Sequence, residues 1–245
     1  MSLALTYTRR QLVEMLRTPV MLITLALTPV TVMLFFLVPF LGHDPFAMTS
    51  ATGTMVVFAV LLGCIGHFAT TISATRESAW GSYLRTLPGG LAPQVAAHLT
   101  TGLAVVAAAI IPIVVVAALF TAASATAPQI ALATLAVLGT VLTFTLMGLA
   151  IGYLFSSRAT IIITSVAILP LAVGGGMFFD PQETPALVET IAPFLPTRGA
   201  GDLVLWALTD VAPNPMALVL LAVWTAIFAG LVVWGYRRDE VRRFN

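Results

Sequence analysis

Cys64 and His67 stand three residues apart, a spacing that places a thiol and an imidazole on one face of a helix. That pairing is the chain's nearest approach to a nucleophile with its base. Packing between helices accounts for the same two residues, because an unreactive cysteine behaves as a small hydrophobe. His43 and His98 fall near the ends of apolar runs, and no two histidines are spaced as metal ligands on one helix. The chain carries no Gly-x-Ser-x-Gly elbow and no zinc signature. With one cysteine, no intrachain disulfide can form.

Energy conversion is equally constrained. All eleven basic residues counted as Lys or Arg are arginines. Without lysine there is no P-loop to hold ATP phosphates and no lysine Schiff base, so energy must come from another chain. No apolar run contains Asp or Glu. This argues against a proton-coupled transporter, which keeps a carboxylate inside the membrane, although sodium can be coupled through backbone carbonyls. A channel would need a polar pore or a selectivity ring, which only an oligomer could build here.

The elements that must carry these residues are membrane spans. Of the 245 residues, 59% are hydrophobic and 9% charged, where a soluble domain has about 25% charged; the mean hydropathy is +1.03. Six runs reach the roughly 20 residues that a spanning helix needs: Val20–Leu41, Ala51–Ala74, Gln94–Phe120, Ile130–Phe155, Ala159–Phe179 and Met216–Tyr236. The first starts too late and is too long for a signal peptide, and no small-residue cleavage site follows it. Six spans put Arg9, Arg10, Arg17, Arg76, Arg85, Arg158, Arg237, Arg238, Arg242 and Arg243 on one face, with only Arg198 opposite, among Asp180, Glu183, Glu189, Asp202 and Asp210. By the positive-inside rule both termini are cytoplasmic. The expected fold is a single all-α polytopic domain over residues 1–245, in a bacterial plasma membrane. Exclusive use of arginine points to a GC-rich genome.

Between the runs, 2–17 reads as an amphipathic surface helix with Leu5, Leu12 and Leu16 on one face and Arg10, Glu14 and Arg17 on the other; a charged lead-in is the alternative. Residues 42–45 make a short outer turn, and 124–128 the outer hairpin between runs three and four. Gly148 and Gly152 are placed for close helix packing. Pro170 and Gly174–Gly176 either kink or end the fifth run, or pack it closely against a neighbour. In the outer segment, 180–215, Thr184 caps a helix with Pro185 at its first position, and 203–208 is apolar but too short to span. Two short helices, on or dipping into the outer leaflet, fit it.

The most distinctive polar stretch is the loop 75–90. Trp80, Tyr83, Leu84 and Leu87 recur at helical spacing, preceded by Arg76 and Glu77 and stopped by Pro88. Such an aromatic face on the arginine side is either a docking knob for a soluble partner or an interfacial anchor.

In family order, four stretches now stand out: the amphipathic start ending at Arg17-Thr18-Pro19, Arg76-Glu77 with Gly81, Leu84-Arg85 and Pro88, the small-residue end Gly148–Phe155 with Ser156-Ser157-Arg158, and the Gly-rich end of run five with Asp180-Pro181 and Pro193–Pro196. Together they resemble the ABC-2 type (type V exporter) permeases, over nearly the whole chain. The loop departs from the family pattern, since its glycine comes later than the Glu-x-Gly expected. The resemblance implies that 2–17 is the connecting helix. It also implies an ATPase-coupling element containing Arg76, Glu77, Trp80, Gly81, Tyr83, Leu84 and Arg85. Spans two and five would flank the substrate path, with Phe58, Thr164 and Ile168 as candidates for its lining. It further implies two ATP-binding subunits as partners, a second permease chain identical or sister to this one, and membrane lipid around them, with no nucleic acid. ATP and Mg would be bound by the ATPase, leaving no cofactor and no catalytic or metal residue in this chain. The function expected is the permease of an ATP-driven exporter, or efflux system, for a hydrophobic drug, lipid or lipid-linked molecule. The alternatives are an ATP-independent channel or facilitator and, third, an intramembrane enzyme.

Overall fold

The computed structural model describes residues 8–9, 11–13, 17, 19–41, 44–78, 91–179 and 184–241, and all their regular structure is helical. Helix α1 runs Pro19–Val32, passes through a π-helical stretch, Met33–Leu37, and finishes as Val38–Leu41. It is followed by α2 (Pro45–Glu77), α3 (Leu91–Phe120), α4 (Ala127–Leu154), α5 (Ser157–Gly174), α6 (Ala186–Ile191), α7 (Pro196–Thr209) and α8 (Pro215–Val241). Helices α2, α3, α4, α5 and α8 are long and apolar enough to cross a membrane, and α1 adds the shorter apolar stretch Ile23–Leu37. The protein is an all-α polytopic membrane protein. Of the surface helix expected over 2–17, residues 8–9 and 11–13 are helical, while Leu5, Arg10, Glu14 and Leu16 lie outside the described residues.

Local chemistry sets the helix ends. Asp44 caps α2 by accepting the Phe46 N–H at 3.1 Å, with Pro45 in the first turn; this span therefore starts at Pro45 rather than at the expected Ala51. Thr126 caps α4, its backbone N–H donating to Gln129 Oε1 at 2.9 Å. Helix α5 passes Pro170 and ends at Gly174. There Gly176 takes φ +82° and the Met177 N–H reaches Ala172 O at 3.0 Å. This is a glycine-terminated C-cap, so the three glycines end the helix. Helix α6 starts one residue later than expected, with Pro185 rather than Thr184 at the N-cap position and no side-chain cap.

Helix α2 is the centre of the bundle. Every residue from Met55 to Leu61 is buried, as are Cys64, Ile65 and Phe68. Its partner α4 approaches through Gly148 and Gly152. A Cβ on Gly148 would stand 2.6 Å from the Cys64 carbonyl oxygen, and one on Gly152 would stand 2.8 Å from Ile72 Cβ. The backbones meet because nothing larger than hydrogen fits between them, which is how helices gain dispersion contact where water supplies no hydrophobic drive. Several buried hydroxyls bond to a carbonyl one turn back in their own helix, as in Thr101 to Ala97 O (2.9 Å) and Thr164 to Thr160 O (2.9 Å). Hydroxyl contacts also cross between helices, as in Thr143 to Thr225 at 2.7 Å between α4 and α8.

At the end opposite most arginines, α6 and α7 form the two short helices of 180–215. Helix α7 packs into the bundle, whereas α6 buries none of its residues. Trp224 Nε1 donates to Phe194 O at 2.9 Å, and Trp224 lies about 13 Å along α8 from Pro215 at 1.5 Å per residue. Thr197 Oγ1 donates to Leu171 O in the last turn of α5 at 2.7 Å. Gly199 abuts the Ala217 backbone, and Gly53 of α2 faces Leu208 and Val204. Within α7, Arg198 Nε pairs with Asp202 at 2.8 Å, and the Asn214 N–H also donates to Asp202 at 3.3 Å.

Two outcomes follow from this packing. Gly148→Val should lower the thermal stability of the detergent-solubilised protein by about 1–3 kcal/mol, the usual range for overpacking. Gly230→Ala, where a Cβ meets nothing within 4 Å, should be neutral or slightly stabilising; equal losses in both would remove the packing argument. Burial pushes the Asp202 carboxyl above the usual aspartate range, and Arg198 and the Asn214 N–H offset this only in part. The folded chain then holds this proton more tightly than the unfolded chain. The associated stability is fully present below the ordinary aspartate value and is lost as pH rises through the raised one. Thermal unfolding across that acidic window should show this slope in the native protein and lose it in Asp202→Asn.

Candidate functional site

The chain reverses from α4 to α5 through only Phe155 and Ser156. A reversal this short leaves the last carbonyls of one helix and the first amides of the next without intrahelical partners. Water can satisfy such groups at an open surface, but here side chains from two other helices do so.

Arg76, at the end of α2, donates from Nη1 to Gly152 O at 2.7 Å and to Phe155 O at 3.3 Å. Its Nε and Nη2 form a two-pronged pair with Asp239 of α8, at 2.8 and 2.6 Å. The fork geometry suits guanidinium and not ammonium. Only 17% of the Arg76 side chain and 10% of the Asp239 side chain are exposed, so screening by salt is weak. Tyr153 lies beneath the guanidinium, its ring centroid 6.0 Å from Cζ, and meets Tyr236 edge to face. Arg238 completes the carbonyl side, donating from Nη2 to Leu154 O at 3.1 Å while lying over Trp234.

The next residue of α2 has the opposite task. Glu77 Oε1 accepts the Ser157 N–H at 2.9 Å, at the first turn of α5. A carboxylate at a helix N-terminus and arginines at a helix C-terminus each complement the local dipole. Adjacent residues of opposite charge thus seal the two sides of one turn. Helix α2 ends at once beyond them, where Ser78 folds back onto Thr75 O at 2.7 Å.

Arg76 and Glu77 are therefore brought together with α4, α5 and α8. Trp80, Gly81, Tyr83, Leu84 and Arg85 lie outside the described residues. Of the residues considered for a substrate path, Phe58 is buried and meets Phe178 edge to face at 5.2 Å. Thr164 is buried against α5's own carbonyls, and Ile168 is half-buried against the core. Cys64 is fully buried, and the contacts described for His67 are with Phe68 and Thr71. His98 instead reaches the N-terminal helical turn, Gln11 Nε2 lying 3.1 Å from its Nδ1 while Thr101 donates to Gln11 Oε1 at 2.7 Å.

The family model described as ABC-2 type transporter matches residues 3–209. The chain belongs to that family. No curated protein matches it. This ABC-2 type chain is thus the membrane-spanning permease subunit of an ABC transporter, and such membrane domains work with ABC ATPase partners. Subunits of this kind are generally not catalytic themselves.

Sequence reasoning missed Asp239, Arg238 and the Ser157 amide. A signal for Asp239 existed, since it is an acid set among four arginines at the end of the last span. Only the fold shows that Arg76 takes it.

Removing the guanidinium while keeping bulk tests the electrostatics. Arg76→Met should cost about 2–3 kcal/mol, the scale of charge-assisted hydrogen bonds, read as a lower unfolding temperature in detergent. Arg76→Lys, with the charge but no fork, should lie between the two. Native-like stability in Arg76→Met would show that water replaces Arg76 without penalty.

Proposed function

We propose that this permease is the exporting half of an ATP-driven system, with hydrolysis and the binding of ATP and Mg on a separate ATPase subunit. The observation that carries the reading is the placement of Arg76 and Glu77. They end the most buried helix, hold the ends of α4, α5 and α8, and immediately precede the stretch whose aromatic spacing fits a docking helix. A push on that stretch has a short path into four spans. The arginine-rich end is then cytoplasmic by the positive-inside rule, both termini included, in a bacterial plasma membrane. Two permease chains, identical or sister, meet around the path with two ATPase subunits beneath them.

The apolar spans carry no Asp, Glu or Arg between Pro19 and Arg76 except Asp44 at the α2 cap. A hydrophobic drug, lipid or lipid-linked molecule suits such walls better than an ion, whose desolvation they could not offset. Export rather than uptake follows the family resemblance.

Purification from the native membrane in mild detergent should bring down a stoichiometric ATPase, identified by mass spectrometry and lost when Trp80 and Leu84 are both changed to Asp. A chain that purifies alone, yet stays folded and transports, would replace this reading with a facilitator. Glu77→Ala should leave insertion and ATPase binding intact while ATP hydrolysis no longer drives transport. Normal transport by that variant would remove Glu77 from the mechanism.

A further inference from the structure

We propose that Asp239 is a positioning residue which, through Arg76, locks the ends of α2, α4 and α8 into one rigid block that Glu77 extends to α5, so that a displacement entering after Glu77 moves these spans together. The transmission role rests on the exporter reading; the rigid block does not.

The geometry supports a lock rather than a chance surface pair. Arg76 has five N–H donors in a fixed plane. One edge is occupied by both Asp239 oxygens and the remaining nitrogen by carbonyls of Gly152 and Phe155. The guanidinium cannot swing toward one partner without leaving the other. Asp239 is 7% exposed and Gly152 is buried, so a released partner would be poorly hydrated and costly. Two further contacts close the same block independently, Arg238 to Leu154 O and Glu77 to the Ser157 amide. The small residues do the rest: a Cβ on Gly235 of α8 would stand 2.8 Å from Tyr153 Cβ, so α8 and α4 touch almost backbone to backbone beside the ion pair. Asp239 also lies within four residues of the end of the last span's described helix, where an unheld helix would fray.

The test uses a pair of spin labels in the intact complex in nanodiscs, at Ala74→Cys on α2 and Arg237→Cys on α8, both exposed. Cys64 is buried and should stay unlabelled. The native background is expected to give one narrow distance, unchanged between the nucleotide-free complex and the complex trapped with ATP and vanadate. Asp239→Asn, nearly isosteric, should broaden or split that distance, and ATP hydrolysis should no longer drive transport. Asp239→Glu should restore the narrow distance and part of the drive, which a merely structural defect would not do. A native distance that shifts on trapping overturns the rigid block, and this arm needs no Asp239 variant to fold. A narrow, native-like distance in Asp239→Asn overturns the role of Asp239 while leaving the exporter reading in place. If no ATPase accompanies the native chain, the exporter reading and the transmission role fall together, and the distance in the chain alone still decides the block.

Discussion

A helix that ends against another helix leaves carbonyls and amides that must find partners, and in a membrane protein those partners must come from the protein or from the thin layer of water at its rim. The α4–α5 reversal sets this constraint for the whole arginine-rich end. Of its two residues, Ser156 caps one amide, accepting the Ala159 N–H at 3.4 Å, and the remaining groups are met from other helices. Arg76 and Arg238 take the carbonyl side and Glu77 the amide side. Because Arg76 and Glu77 belong to α2, and Arg238 and Asp239 to α8, a local hydrogen-bonding problem becomes a four-helix junction. At this junction Arg76, Glu77, Arg238 and Asp239 each have a fixed counterpart.

The bundle above that junction is held by different means. Between spans, burial of apolar surface yields little when lipid tails are the alternative, so contact comes from close approach. Gly148 and Gly152 permit it against α2, and Gly235 permits it between α8 and Tyr153. The Thr164 and Thr225 hydroxyls, costly in hydrocarbon if left free, bond to their own helix one turn back. The same economy brings α7 inward. Its small, polar first turn, with Thr197, Gly199 and Ala200, packs on α5 and α8, and its apolar second half meets α2 and α4. A sequence too short to span is stabilised by insertion rather than by lying at the surface.

Much of the fold was legible before any coordinates because hydrocarbon leaves few options. Apolar length placed the helices to within a few residues, and the arginines sorted the two ends. The start of α2 was missed by six residues because Thr49, Ser50 and Met48 precede the strongly apolar stretch, and the Asp44-Pro45 cap was read as a turn. The π-helical stretches at Met33–Leu37 and Leu62–Gly66 have no compositional mark. Two short helices were expected on or dipping into the outer leaflet, and the packing of α7 into the bundle was not foreseen, since hydrophobic periodicity reports which face is apolar and not what covers it. At the site, Arg76 and Glu77 stood out by charge and position. Asp239 did not, because its meaning depends on a partner 163 residues away.

The distribution of charge also bears on how the permease can be driven. The carboxylates carried by the spans lie at their arginine-rich ends, where Glu77 and Asp239 are held by the Ser157 amide and Arg76, and the buried acid of the outer segment, Asp202, is held by Arg198 and a backbone amide. A field or an ion gradient therefore has little to act upon within the described spans. Force can instead enter mechanically at an end. At the arginine-rich end several spans are joined through short, directional contacts, of which the Arg76–Asp239 pair is largely shielded from salt. Such contacts are costly to stretch, while the middle of the bundle is held by close glycine approach. Stiff coupling at that end is what a permease needs if a partner beneath it is to move several spans together.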